Sequence, residues 1–462
     1  MKMRKWQSEC AEQAIKHYKT KSHFLCLATP GAGKTIMAAE IGYQLYVNGK
    51  IDLIICFAPS ITVSASIKKV FSKHLDVNFD GMIGSVGGVY TYQSMLFLDD
   101  RFWDVFKKKR VFVVFDEIHH CAGDSLENAN SWGEKIIIGI QDKATYTLAL
   151  TGTPWRSDKQ PITMSHYNKG KGGIICDYIY GLREAVLDSV CRLPNIVLVD
   201  NDKLTLSVGD KEKEIFNGVG DMLRKTDIGY QDIITNETAV SYILKLEVDK
   251  LSIIRTENPK AGGLIVASSV DHANVILNML TTLYSQTAVI VTYKLSKSVE
   301  VIDIFRSSDV QWIVSVGMVS EGTDIPRLQV CCHLSRVKTE LYFRQVLGRI
   351  LRTNNEVNQE AWLYTFAEPN MVDFAHRLKS DIPDAQIVID YNGINKINKE
   401  GCPVKISGNV FQKVPKENEI IFDVHDFQNV VNSELPSNIP TSNSEVLNFL
   451  GRFKTKIINY FD

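Results

Sequence analysis

The chain has 462 residues, 45% of them apolar and 23% charged, with a formal net charge of −1; that length exceeds one hydrophobic core and implies roughly two to four domains. The near-neutral balance excludes a chain that holds nucleic acid by bulk charge, so any nucleic-acid groove is local. No apolar run reaches the roughly 18–20 residues that span a bilayer, and the first seven residues lack the apolar core of a signal peptide, so a cytoplasmic protein with no membrane partner is expected.

Over the first 190 residues, short β-rich runs at 24–27, 53–57, 111–115 and 147–150 alternate with helical patterns at 35–46 and 61–74. That alternation predicts an α/β domain with a parallel sheet covered on both faces, assigned to residues 1–194. Charges become dense over 195–259, which reads as a connector with small elements of its own, ending in a helix over 237–255. Strand runs at 263–267, 288–291, 312–316, 330–333 and 361–366 predict a second α/β domain over 260–384. Residues 385–462 form a C-terminal extension. Within it, 433–443 has linker composition, and Val446, Leu447, Leu450, Phe453 and Ile457 fall near helical spacing, predicting a short terminal helix over 444–460.

The nine cysteines form no C-x-x-C pair. Cys331 and Cys332 lie in an apolar run and would point to opposite faces of a strand. Buried thiols in a reducing compartment are the reading, with no zinc or iron–sulfur site.

Residues 28–35 read Ala28-Thr29-Pro30-Gly31-Ala32-Gly33-Lys34-Thr35, between a strand and a helix. That is the context of a phosphate-binding loop. Thr29, Gly31, Ala32 and Gly33 let backbone N–H groups converge on an anion. Lys34 reaches the β- and γ-phosphates, the Thr35 hydroxyl ligates Mg²⁺, and the helix N-terminus adds its dipole. Ala28 stands where the strict pattern has a glycine.

The run 111–115 ends in Asp116-Glu117-Ile118-His119-His120, an acidic pair on the sheet edge that also carries the phosphate loop. Burying two carboxylates together without a cation would cost several kcal/mol. Asp116 would therefore hold Mg²⁺, largely through water, and Glu117 would orient and deprotonate the attacking water. His119 or His120 is a candidate for coupling the ATP site to the second domain. The basic run 107–110 enters its strand from the opposite edge and reads as a solvated face.

Two further runs complete the set. Gln345-Val346-Leu347-Gly348-Arg349-Ile350-Leu351-Arg352 puts Arg349 and Arg352 three apart, on one predicted helix face, where two guanidinium groups can stabilise charge on a γ-phosphate. Residues 319–326, Val319-Ser320-Glu321-Gly322-Thr323-Asp324-Ile325-Pro326, read as a polar loop able to touch both a nucleotide and a nucleic-acid backbone.

Together these residues resemble the superfamily 2 helicases and translocases, over roughly residues 1–380. Arg4 and Gln7 match that family's adenine-contacting element, 28–35 its motif I, Phe57–Ser60 motif Ia and Thr91–Gln93 motif Ib. Asp116–His119 match the Asp-Glu-x-His box, Leu150–Pro154 motif III, Ile265–Ser268 motif IV, 321–326 motif V and 345–352 motif VI. Trp155-Arg156 and the motif V run are most similar to bacterial DNA-directed members, such as type III restriction subunits, excision-repair helicases and phage-defence helicases. The resemblance implies two tandem RecA-like domains with ATP between them. It places Gly322 and Asp324 with the nucleotide and Gln345 with the catalytic group. Pro59, Ser60, Tyr92, Gln93, Ser268 and Thr323 would then meet a nucleic-acid backbone, mostly without sequence preference. No nuclease motif or zinc module accompanies these motifs. The expected function is ATP- and Mg²⁺-dependent movement along nucleic acid, DNA in preference to RNA, in repair, recombination, restriction or phage defence. Two alternatives stay open: an RNA track, and an ATP switch that recruits a separate effector such as a nuclease, a protein partner docking on 385–462.

Overall fold

Six apolar runs in the first 182 residues meet as one sheet. They are β1 (His23–Ala28), β2 (Leu53–Ala58), β3 (Gly87–Thr91), β4 (Val111–Phe115), β5 (Tyr146–Thr151) and, beyond a short hairpin of β6 (His166–Tyr167) and β7 (Ile174–Ile175), β8 (Tyr178–Tyr180). The computed structural model describes residues 3–82, 84–168, 173–208, 214–294, 297–318, 324–354, 356, 358–378 and 445–460. Within the sheet the order is β3-β2-β4-β5-β1-β8, and each pairing is parallel. β4 is buried along its whole length, and β1 and β2 at all but their first residue. Such strands need cover on both faces, and helices including α1 (Lys5–His17), α2 (Lys34–Val47) and α3 (Ile61–Leu75) pack on the sheet. Because the strands run parallel, the residues after β1, β2, β3, β4 and β5 emerge on one edge, which is where sites form in open α/β sheets.

The chain divides into two units, the second starting at residue 183. Its strands are β9 (Leu193–Asn201), β10 (Leu204–Val208), β11 (Glu214–Phe216), β12 (Gly262–Ala267), β13 (Ala288–Thr292), β14 (Trp312–Val316), β15 (Leu328–Leu334), β16 (Glu360–Phe366), β17 (Glu445–Phe449) and β18 (Phe453–Asn459). The main sheet has the order β13-β14-β12-β15-β16-β9-β18. It is parallel except for β18, which runs antiparallel to β9. The stretch 195–259 is built into this unit: β9 extends the sheet, and helix Glu237–Glu257 buries Ile243, Leu244, Leu251 and Ile254 in the same core as β12 and β15. Cys331 and Cys332 are fully buried, and Cys332 alone of the two joins that core cluster, as opposite faces require.

The terminal helix expected over 444–460 is replaced by two strands. β17 pairs antiparallel with β10, and β18 with β9. Thr455, Ile457 and Ile458 are β-branched and favour extended backbone once a partner edge is present, and helical spacing read from one segment is blind to that edge. Residues 385–444, including the predicted linker, lie outside the described residues. Among the described residues no helix is long and apolar enough to cross a membrane.

Candidate functional site

The phosphate loop leaves β1 and turns into α2. Gly31 and Gly33 have φ of 86° and 92°, left-handed values that side chains with a Cβ rarely adopt. Helix α1 holds the loop from one side. Arg4 donates from Nη1 to the Ala32 carbonyl at 2.7 Å, and Gln7 from Nε2 to the Gly33 carbonyl at 2.9 Å. The Arg4 N–H in turn donates to Gln7 Oε1 at 2.8 Å. From the other side, the Thr29 N–H donates to the Tyr180 carbonyl at 3.0 Å, and the Tyr180 ring stacks on Trp6 at 4.6 Å. Gly33 occupies the N-cap of α2, and no side chain caps that helix, which leaves its positive end facing the loop.

The acidic pair lies beside the loop because β5 separates β1 from β4 by one strand. Lys34 is buried, and its Nζ is 3.0 Å from Glu117 Oε1 and 3.2 Å from the Ala28 carbonyl. Glu117 has a left-handed backbone, φ 49° and ψ 54°, which is uncommon for a non-glycine residue and turns its side chain away from the strand direction. Gly152, just past β5, donates its N–H to Glu117 Oε2 at 3.3 Å. His119 Nδ1 lies 3.4 Å from the same oxygen and 2.9 Å from Thr151 Oγ1. Arg156 fixes this corner: its Nη1 donates to the His119 carbonyl at 2.5 Å while Asp158 holds the guanidinium at 2.7 Å. The result is one carboxylate held by an ammonium, a backbone N–H and a buried histidine, with the Asp116 carboxylate beside it at the strand end.

Residues 1–156 match the family model described as "Type III restriction enzyme, res subunit". An uncharacterized Mycobacterium leprae protein is 29% identical over 371 residues, covering 77% of this chain and 61% of its own length. The chain thus spans about three fifths of that relative. The "DNA 3'-5' translocase XPB2" of Sulfurisphaera tokodaii is 24% identical over 411 residues, covering 81% of this chain and 83% of its own. Among solved structures, the fragment of a putative HsdR subunit of a type I restriction enzyme from Vibrio vulnificus superposes with a TM-score of 0.54 at 15% identity, covering 80% of this chain and 65% of that one. Over these stretches the chain is similar to the superfamily 2 helicases. Its architecture is two tandem RecA-like units.

The first unit gathers Arg4, Gln7, Thr29, Gly31, Ala32, Gly33, Lys34, Thr35, Asp116 and Glu117 around one loop. The second unit carries Gln345 and Arg349 on helix Glu340–Ile350. Arg352 is not on that helix, contrary to the periodicity. The helix ends at Ile350, and Arg352 forms an antiparallel bridge with Cys191 while its Nη1 pairs with the Asp324 carboxylate. Asp324, expected beside the nucleotide, is engaged by arginine twice, since its carbonyl also accepts from Arg306 Nε at 2.6 Å. Gly322 lies outside the described residues.

The nucleic-acid set fares unevenly. Ser60 caps α3, accepting from the Val63 N–H at 3.3 Å, and Gln93 is half-buried, so both retain exposed surface. Pro59 is buried. Tyr92 is fully buried, and its hydroxyl donates to the Asp116 carbonyl at 2.8 Å. The Tyr92 side chain is therefore a prop beneath the acidic pair, and a phosphate cannot reach it. Ser268 is buried as well, with Oγ 2.9 Å from His272 Nδ1 and accepting from Gln231 Nε2 at 3.0 Å. Thr323 lies outside the described residues.

Sequence reasoning missed the supports of Glu117: the Gly152 N–H, the Nδ1 face of His119 and the Arg156 clamp. The run 150–156 was legible as a motif, but which carboxylate it served was not. His120 is half-buried and packs against His119, with ring centroids 4.5 Å apart. The run 107–110 is exposed, with Arg110 paired to Asp52 at 2.7 Å, as a solvated face would be.

Proposed function

We propose that the chain is an ATP-driven nucleic-acid translocase or helicase with DNA as its track. The observation that carries this reading is the Lys34–Glu117 pair at 3.0 Å beside the glycine loop. A buried ion pair is weak evidence for stability, since its desolvation cost offsets much of its attraction. Its value here is chemical. Phosphates arriving in the loop would draw Lys34 away from Glu117. The carboxylate, still held by the Gly152 N–H and His119, would then be free to take a proton from the attacking water. Nucleotide binding would thereby arm the base.

Thr35 and Asp116 would hold Mg²⁺. One hydroxyl at the start of α2 and one carboxylate just past β4 suit a hard cation that takes its remaining ligands from phosphate and water. When bound, the ion would supply charge neutralisation to the phosphates. The reading assigns Gln345, Arg349 and Arg352 to charge developing on the transferred phosphate. DNA is preferred because the matched family model is that of a restriction subunit and the Sulfurisphaera relative is named a DNA translocase.

The test is ATP hydrolysis by the wild-type chain and Lys34→Ala, alone and with single-stranded DNA, duplex DNA, forked DNA or RNA. The wild type should be stimulated most by a DNA, and Lys34→Ala should be inactive throughout. Wild-type rates in Lys34→Ala would overturn the site, and stimulation by RNA alone would overturn the track.

A further inference from the structure

Arg192 belongs to none of the motifs, yet its side chain is fully buried. Its Nη1 donates to the carbonyls of Leu328 at 2.7 Å and Ile350 at 3.2 Å, and its Nη2 to that of Pro326 at 2.9 Å. Burial lowers its pKa to about 10, so the guanidinium stays charged at neutral pH. A buried cation is costly unless protein dipoles replace its water. Here three carbonyls do so, and one belongs to the last residue of helix Glu340–Ile350, where the helix dipole favours positive charge.

The three acceptors come from different elements. Pro326 closes the 319–326 run, Leu328 opens β15, and Ile350 ends the arginine helix. The backbone around Arg192 stitches the same place. Its N–H donates to the Leu351 carbonyl at 2.7 Å, Cys191 bridges Arg352, and Thr353 Oγ1 donates to the Val190 carbonyl at 3.2 Å. Arg352 then reaches back to Asp324. Asp324, Arg349 and Arg352 are thus tied through short covalent and hydrogen-bonded paths to one buried fork.

We propose that Arg192 is a positioning residue that couples residues 324–328 to the arginine helix, so that a nucleic-acid-driven shift of those residues moves Arg349 and Arg352 with it. This rests on the ATPase reading above and adds the route by which the track would speak to the nucleotide. The geometry requires a planar fork. A lysine ammonium is a compact point charge and cannot place separate donors where Nη1 and Nη2 stand.

The experiment compares the full-length wild type with Arg192→Lys and Arg192→Met. It measures kcat and KM for ATP with and without single-stranded DNA, alongside thermal melts. In Arg192→Lys, KM for ATP should stay within about twofold while the DNA stimulation ratio falls about tenfold or more, within the usual range of coupling between sites. A merely structural role would reduce the folded fraction, lowering basal and stimulated rates alike; an unchanged ratio overturns the proposal. Arg192→Met strips the donors from three buried carbonyls and is the variant at risk of not folding. Hydrogen exchange on wild type and Arg192→Lys provides the second reading. DNA should change protection over both 324–328 and 340–352 in the wild type, and over 324–328 alone in Arg192→Lys. Joint change in both proteins overturns the coupling. A wild type that no nucleic acid stimulates sinks the ATPase reading itself, an outcome distinct from any effect of Arg192.

Discussion

Alanine at Gly33 tests how α1 and the phosphate loop are joined. Gly33 sits at φ 92° and ψ 39°, and a Cβ in left-handed backbone costs roughly 1–2 kcal/mol. The added Cβ would stand 2.8 Å from Gln7 Nε2. Gln7 must then withdraw and lose its 2.9 Å bond to the Gly33 carbonyl, worth about 1 kcal/mol. The sum is about 2–3 kcal/mol, or a fall in Tm of roughly 4–12 °C for a unit of this size. The assay is thermal and urea unfolding of wild type, Gly33→Ala, Gln7→Ala and the double variant. In the Gln7→Ala background the clash is gone and only backbone strain remains, so Gly33→Ala should cost about 1 kcal/mol less there. An identical cost in both backgrounds would refute the contact between helix and loop, and a cost below about 0.5 kcal/mol would refute the strain as well.

Tyr92→Phe should destabilise the chain by about 1–2 kcal/mol, because the Asp116 carbonyl loses its donor in a buried place. Affinity for single-stranded DNA should not change; weakened DNA binding with unchanged stability would restore Tyr92 to the surface set. Glu247 is fully buried on helix Glu237–Glu257, and burial pushes its carboxyl well above the usual range, with a hydrogen bond from Cys332 acting the other way. The folded state therefore keeps a proton that the unfolded state releases above its ordinary carboxyl pKa, so this residue's contribution to stability falls as pH rises from there. Glu247→Gln has no proton to lose. Its Tm should match the wild type near pH 4 and exceed it increasingly toward pH 8, and a difference that is flat or grows toward acid would reject the buried neutral acid.

The candidate site residues Lys34, Asp116 and Glu117 were legible because the loop and the acidic pair that carry them follow short apolar strands in the motif order. Lys34, Asp116 and Glu117 need no knowledge of packing beyond the parallel sheet that the alternation implies. What the alternation could not show is which side chains those strand ends bury. Tyr92, Pro59 and Ser268 carry the right residue types in the right places, and the neighbouring elements enclose all three. Arg352 falls three residues after Arg349, yet a strand-like bridge to Cys191 takes it off the helix. Cys191 is some 160 positions away in the chain, farther than any local periodicity reaches. β17 and β18 were misread for the same reason: an extended segment is stabilised by the edge it joins, and β9 and β10 lie more than 200 residues earlier. Sequence alone thus indicated two parallel-sheet units and the candidate residues that follow β1 and β4, since local pattern encodes most of the central strands and the motif types. Tertiary structure alone decided the supports of Glu117, the burial of Pro59, Tyr92 and Ser268, and the Arg192 fork, because each depends on atoms that meet only once distant strands have paired.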